Sequence, residues 1–277
     1  MMVSGILVAL AFSRILEASP TLELPLHGPV ARIVIVGDVG DGAGDVAAGI
    51  ATIGGLDAIV LTGDNVYPCG VWTPDDPHWV VVAPLTRLGV PIFPVLGNHD
   101  ICGKASAQIG APLANWHFPS RSYSVHSSLV DLEMLDTNPI AAGHPMPPLE
   151  GSFGTAPWRV AVGHHPITSS GFHGHFPRSE HGNMQRLRDP LRRDRVDLYA
   201  CGHDHHLELI DGRPRMLISG AGSDPVPAIF LHAATLWPER VRNLKGFALV
   251  ECSRTEMAVS FYDAKGTARS KRFVFAH

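Results

Sequence analysis

Five short apolar runs, each broken by a glycine and a polar cluster, constrain this chain more than any other feature. Residues 32–36 precede Gly37-Asp38-Val39-Gly40, residues 58–62 precede Gly63-Asp64-Asn65-Val66-Tyr67, and residues 92–96 precede Gly97-Asn98-His99-Asp100. Residues 159–162 precede Gly163-His164-His165-Pro166, and residues 196–201 precede Gly202-His203-Asp204-His205-His206. The runs are continuously apolar rather than alternating, and the segments between them are long enough for a crossover helix. They are therefore predicted to be buried strands in sheets covered on both faces. Helical cover is expected over residues 45–53, 79–88 and 183–193. The C-terminal third is richer in strand patterns, at residues 216–219, 246–252 and 257–262. There a turn at Asp263-Ala264-Lys265-Gly266 leads to residues 272–275, which predicts an antiparallel meander. The expected fold class is α/β, with two packed mixed β-sheets flanked by helices in four layers. Residues 138–157, rich in proline and glycine and without period, are expected to form a long surface loop.

The composition supports one large domain. Of 277 residues 45% are hydrophobic, and 22 Lys+Arg against 26 Asp+Glu leave a net charge of −4. A mildly acidic chain without a basic run weighs against nucleic acid as a partner. No apolar run approaches the ~20 residues that span a bilayer. Residues 1–19 have the length and apolar centre of a secretory signal, but they lack a basic start and offer only Leu16-Glu17-Ala18 as a cleavage site. Residues 1–29 are accordingly read as an N-terminal arm or a signal peptide, and residues 30–277 as one domain. Export follows from the first reading of the segment and a cytoplasmic location from the second. Of the four cysteines, Cys201 and Cys252 lie in apolar runs and are expected as buried thiols. Cys69 and Cys102 lie in loops and can pair in an exported protein.

The polar clusters carry the chemistry. In an open α/β sheet, loops at the carboxyl ends of strands deliver side chains to one point. Asp38, Asp64, Tyr67, Asn98, His164, His203 and His205 offer hard oxygens and imidazoles without a thiolate, a set suited to iron, zinc or manganese. Seven donors are too many for one catalytic zinc and suit two ions that share a carboxylate. Each cluster alone is weak evidence, since Gly-Asp is most often a turn. A His-x-His pair puts both rings on one face only if the segment is extended. All five in this order are specific. No GxSxG, HExxH or GxxxxGK[ST] pattern competes with them.

In this order the five clusters make the sequence resemble a metallophosphoesterase and, within that superfamily, a purple acid phosphatase of the small tartrate-resistant type. The family pattern GDxG, GDxxY, GNH(D/E), GHxP and GHxH is matched from Gly37, Gly63, Gly97, Gly163 and Gly202. The likeness continues through Ser106-Ala107-Gln108-Ile109, Leu135-Asp136-Thr137, Ser219-Gly220-Ala221-Gly222 and Gly246-Phe247-Ala248. Most metallophosphoesterases open with Asp-x-His, whereas here Gly40 stands in the histidine's place and Tyr67 can fill the vacancy. The resemblance implies that residues 30–277 form a metallophosphoesterase catalytic domain holding two metal ions. Fe(III) would be held by Asp38, Asp64, Tyr67 and His205. Fe(II), Zn or Mn would be held by Asp64, Asn98, His164 and His203. His165 is not a ligand in that pattern. His99 and His173 correspond to substrate-side histidines that bind phosphate and protonate the leaving group. His175, His181 and His206 are candidates for the rim.

The implied reaction is hydrolysis of phosphate monoesters, small molecules or phosphoproteins, at acid pH by direct attack of a metal-activated hydroxide. Two alternatives stand beside it. One is a phosphodiesterase or nucleotidase of the same fold, against which Tyr67 argues. The other is a metal- or phosphate-binding protein without turnover, against which His99 and His173 argue. The departure from the tartrate-resistant relatives is the shortened segment 138–157, where they carry a longer stretch with an amphipathic helix.

Overall fold

The computed structural model describes residues 19–145, 153–176, 179–239 and 244–277. The signal-like segment up to residue 18 and residues 146–152 of the proline-rich stretch lie outside the described residues.

Two mixed sheets form the centre of the molecule. The first runs β1 (Thr21–Glu23), β5 (Tyr123–His126), β6 (Val130–Met134), β7 (Trp158–Val162), β8 (Leu198–Cys201), β10 (Arg215–Ser219), β9 (Leu207–Ile210), β11 (Thr235–Pro238). The second runs β14 (Phe273–Ala276), β13 (Glu256–Asp263), β12 (Gly246–Cys252), β2 (Ala31–Val36), β3 (Ala58–Leu61), β4 (Ile92–Pro94). Within them β6, β7, β8 and β10 are parallel, as are β2, β3 and β4, while β12, β13 and β14 form the expected antiparallel meander.

Continuous apolar strands pay off because side chains alternate between two dry faces. Val160, Val162, Leu198, Ala200 and Leu217 point into the core between the sheets with Val34, Phe247 and Leu249. Their neighbours Ala161, Tyr199, Cys201, Met216 and Ile218 point outward to a second core with Met184, Leu187 and Leu191. That second core lies under α5 (Asn138–Ala141), α7 (Ser179–Met184) and α8 (Arg188–Arg193). On the other flank α1 (Gly44–Ala51) packs on β12 and β13, with α2 (Ala83–Thr86) beside it. The four layers agree with the α/β sandwich expected from sequence.

Five expectations need correction. Residues 216–219 do not join the C-terminal meander: β10 lies parallel to β8 in the other sheet, because a short apolar run has the same pattern in either setting. Residues 79–88 form a 3₁₀ turn, Pro77–Val81, followed by α2, and residues 183–193 divide among α7, a 3₁₀ turn Gln185–Leu187, and α8. The stretch 138–157 is not all loop. It opens with the helical turn α5, where Pro139 sits in the first turn, a place that needs no amide donor. Thr21–Glu23, in the segment read as an arm, is an edge strand parallel to β5. Among the described residues no helix is long and apolar enough to cross a membrane.

Candidate active site

Every cluster lies where a strand delivers it. Asp38 follows β2, Asp64 and Tyr67 follow β3, Asn98 opens α3 (Asn98–Cys102) after β4, His164 follows β7, and His203 and His205 follow β8. Two sheets thus converge on one cleft from their carboxyl ends. The backbone is strained there. Five described non-glycine residues have positive φ, and three of them are Asp38 (56°), Asp64 (53°) and His203 (66°). Such conformations cost of order 1–3 kcal/mol each and persist only where surrounding contacts enforce them.

Those contacts are visible. The buried Asp100 carboxylate accepts from the amides of Gly97 (2.8 Å) and Asn65 (3.0 Å) and from Gln108 Nε2 (2.8 Å), joining the Asp64–Tyr67 loop to the Asn98–His99 loop. Burial and the charge of Asp64 push Asp100 up to about 6. A Cys69–Cys102 disulfide spans the same two loops, and Cys201 and Cys252 are buried thiols. Thr137 Oγ1 accepts from the amides of His164 (3.2 Å) and His165 (3.3 Å), fixing the Gly-His-His-Pro turn. Glycine is required at Gly97, where a Cβ would stand 2.1 Å from Asp64 Oδ1.

The donors form two adjoining groups. In one, the Tyr67 hydroxyl lies 3.4 Å from Asp38 Oδ1 and 3.3 Å from His205 Nε2, and His205 Nε2 lies 3.3 Å from Asp38 Oδ1. In the other, His164 Nε2 lies 3.0 Å from Asn98 Oδ1 and 3.5 Å from Asp64 Oδ1. Asp38, Asp64 and His164 bring one ligand atom each within 4.8 Å of one another, as do His164, His165 and His203. Backbone carbonyls choose the nitrogens. His164 Nδ1 donates to Thr62 O (2.9 Å) and His205 Nδ1 to Asp224 O (2.9 Å), so each ring turns Nε2 inward. His165, buried, pairs its Nδ1 with Thr137 Oγ1 (2.8 Å).

The electrostatics are those of a cation site. Burial would raise Asp38, but its hydrogen bond to His205 and the charges of His164, His205 and His203 hold it below the ordinary carboxylate range. Burial would lower His205, yet Asp38 lifts it to about 9, so that a proton sits where the donors of Asp38 and Tyr67 meet. Burial and the charges of Asp38 and Asp64 raise the Tyr67 phenol far above its ordinary value. A phenol so placed ionises when a cation takes over the charge of those carboxylates.

His99 and His173 border different members of this cluster. His99 donates Nδ1 to Pro68 O (2.6 Å), packs edge-on against Tyr67, and places Nε2 4.0 Å from Asp64 Oδ2. His173 lies on the single turn α6 (Phe172–His175), its ring 3.8 Å from that of His203 between centroids. Asp204, between the two histidines of the last cluster, accepts from the amides of His173 (2.9 Å) and Gly174 (3.0 Å) and from the Ser169 hydroxyl. A cavity of about 210 Å³ opens beside His173, His203 and His205, walled by Phe172, Val226 and Ile229.

One residue of the site carries no sequence signal. Glu180, on α7, accepts from His203 Nε2 (3.0 Å) and His173 Nδ1 (3.3 Å), and these hydrogen bonds hold its carboxyl far below the ordinary range. It belongs to no motif; only the folding of α7 across the cleft brings it there. That bond engages Nε2 of His203 and leaves Nδ1 as the ring nitrogen available to hold a metal. The rim candidates separate. His175 stacks on Phe230 (4.0 Å between centroids) and His181 pairs with Gln185, whereas His206 is buried and bonded to Glu208 (3.1 Å) rather than exposed at the rim.

Comparison with known proteins bears on the family. Residues 31–207 match the calcineurin-like phosphoesterase family. The chain is 30% identical to purple acid phosphatase 17 of Arabidopsis thaliana over 76% of its own length and 72% of that protein. It is 28% identical to human tartrate-resistant acid phosphatase type 5 over 88% of its length and 90% of that protein. Among solved structures, the Plasmodium protein GAP50, described as the anchor in the inner membrane complex, superimposes with a TM-score of 0.75 at 21% identity, over 90% of this chain and 89% of that one. That likeness concerns the fold. The chain belongs to the calcineurin-like phosphoesterases and, within them, to the purple acid phosphatases.

Proposed function

We propose that this acid phosphatase hydrolyses phosphate monoesters at a centre of two metal ions. Asp38, Tyr67 and His205 would hold Fe(III), Asn98, His164 and His203 would hold Fe(II), Zn or Mn, and Asp64 would serve both. The observation that carries the reading is the convergence of seven donors whose histidines are turned inward by carbonyls and by Glu180. Tyr67 favours the reading over a diesterase with an Asp-x-His site, because its ring occupies the space above Gly40. When bound, the cations supply Lewis acidity toward the phosphate oxygens and lower the pKa of the attacking water.

The remaining work falls to side chains of this chain. His99 and His173 face the phosphate from two sides and orient it by hydrogen bonds. His173, with Nδ1 held by Glu180, presents Nε2 to the ester oxygen and delivers the proton that the leaving alkoxide needs. Asp204 fixes the height of that imidazole through its backbone amide. Metal analysis and the visible spectrum of the purified protein, with phosphate release from an alkyl monoester and a diester at acid pH, test the reading. Two ions per chain, a tyrosinate-to-iron band and preference for the monoester are expected. A single ion, or preference for the diester, overturns it.

A further inference from the structure

A cavity of about 1020 Å³ lies away from the candidate active site and is walled by Arg159, Arg192, Arg193, Arg195, Arg213 and Arg215. These are six of the 18 arginines in a chain of net charge −4. The sequence has no basic run because three separate segments supply them: the start of β7, the end of α8 with the turn after it, and the start of β10. The far ends of β7 and β8 lead into His164 and His203. The cavity therefore sits at the opposite end of the same strands, about 15 Å away at ~3.3 Å per residue.

Three of the six are already engaged. Arg159 Nη1 donates to Asp194 O (2.7 Å) and Arg192 Nε to Arg213 O (2.8 Å). Arg215 lies over the Phe275 ring (3.9 Å) with Nε 3.4 Å from Asp211. The guanidiniums of Arg193, Arg195 and Arg213 have neither ion pair nor hydrogen bond among the described residues. Only Asp194 and Asp197 put carboxylates on the wall, and Asp197 spends an oxygen on the Arg159 amide (2.9 Å). Arg195 also holds its backbone at φ 54°, where an L side chain is disfavoured, so its place on the wall is enforced by the fold. Planar guanidinium forks converging from separate segments match an anion with several phosphate groups in different directions.

We propose that this cavity binds a compact soluble anion of clustered phosphates, of the size of tripolyphosphate. The net charge of −4 of the chain disfavours a long nucleic acid. The aromatic ring of the wall, Trp158, is buried and stacked under His277 (4.1 Å) rather than presented to bases.

The test is calorimetric titration of tripolyphosphate into the metal-loaded protein, with excess orthophosphate present to fill the catalytic centre. The parent is expected to bind one equivalent, more weakly as salt rises. The Arg193→Ser/Arg195→Ser/Arg213→Ser variant is expected to bind at least about tenfold more weakly, while hydrolysing an aryl phosphate at the parental rate. Arg213→Ser alone serves if the triple variant does not fold, with a smaller loss expected. Equal affinity in parent and variants overturns the proposal. So does binding through these arginines to oligothymidylate, or to vesicles containing phosphatidylinositol bisphosphate, without binding of tripolyphosphate. Absence of phosphatase activity in a parent that still binds tripolyphosphate would count against the monoesterase reading and leave this site standing.

Discussion

The strand-end bank of donors and the helical bank of His173 and Glu180 in the cleft are built by different means. Asp38, Asp64, Tyr67, Asn98, His164, His203 and His205 all stand within six residues of the carboxyl end of a strand, and backbone carbonyls and the Glu180 carboxylate orient the three histidines. His173 and Glu180 lie on short helical turns beyond β7, and tertiary contacts alone place them: Asp204 at the His173 backbone and Glu180 at its ring. The first bank is stiff because the sheet is stiff. The second depends on how α6 and α7 settle over the cleft, and it touches the first at one point, the bond from His203 to Glu180.

The largest expected effect tests the stiff bank. Asp64→Ala removes the carboxylate proposed to serve both ions, so metal content should fall at both sites and turnover by more than ~10³-fold. Two ions retained per chain, measured by elemental analysis, would refute the bridge. Next, His173→Ala should lower turnover of an alkyl phosphate by ~10² to 10⁴-fold, that of an aryl phosphate far less, and metal content not at all. His99→Ala should share this only in part, because its amide bonds Asp64 Oδ1 (3.0 Å) and the change also disturbs the ligand bank. Identical rates of the His173→Ala variant and the parent on an alkyl ester across acid pH would erase the distinction between the banks.

A smaller effect is expected of Glu180→Ala, which should cost ~10 to 100-fold, as changes to groups that orient metal-bound histidines do. Because Glu180 acts through His173 and His203, the Glu180→Ala/His173→Ala double variant should be little worse than His173→Ala alone; full additivity would show that the contact does not matter. The smallest change in rate belongs to Tyr67→Phe. The iron-loaded protein should lose its colour while the fold is kept, and an unchanged visible spectrum would reject the phenolate as the chromophore.

What the sequence could reveal follows the same division. Asp38 or His164 is announced by a glycine and a strand end, and the clusters mark β2, β3, β4, β7 and β8. β6 is silent because its interior holds Asp131 and Glu133, which look like surface residues. They are buried because Asp131 accepts from the Ala156 amide (3.1 Å) and Glu133 from the Ser124 hydroxyl (2.7 Å). His206 is likewise hidden by its partner Glu208, which also accepts from Ser170 and Thr235. Glu180 has no local signal at all, since seven residues of sequence separate it from His173 and twenty-three from His203. Local pattern reports periodicity and turns, whereas a contact between distant segments is decided by packing that no short window contains.

Gly40 reserves a volume for its neighbour. A Cβ there would stand 2.5 Å from the Tyr67 ring and 2.6 Å from its amide nitrogen, too close for even a methyl group. The tyrosine and a side chain at position 40 are thus rival tenants of one volume. A side chain at position 40 therefore has to displace the Asp64–Tyr67 loop, so Gly40→Ala is expected to disturb the cleft through crowding alone, although it changes none of the donor atoms.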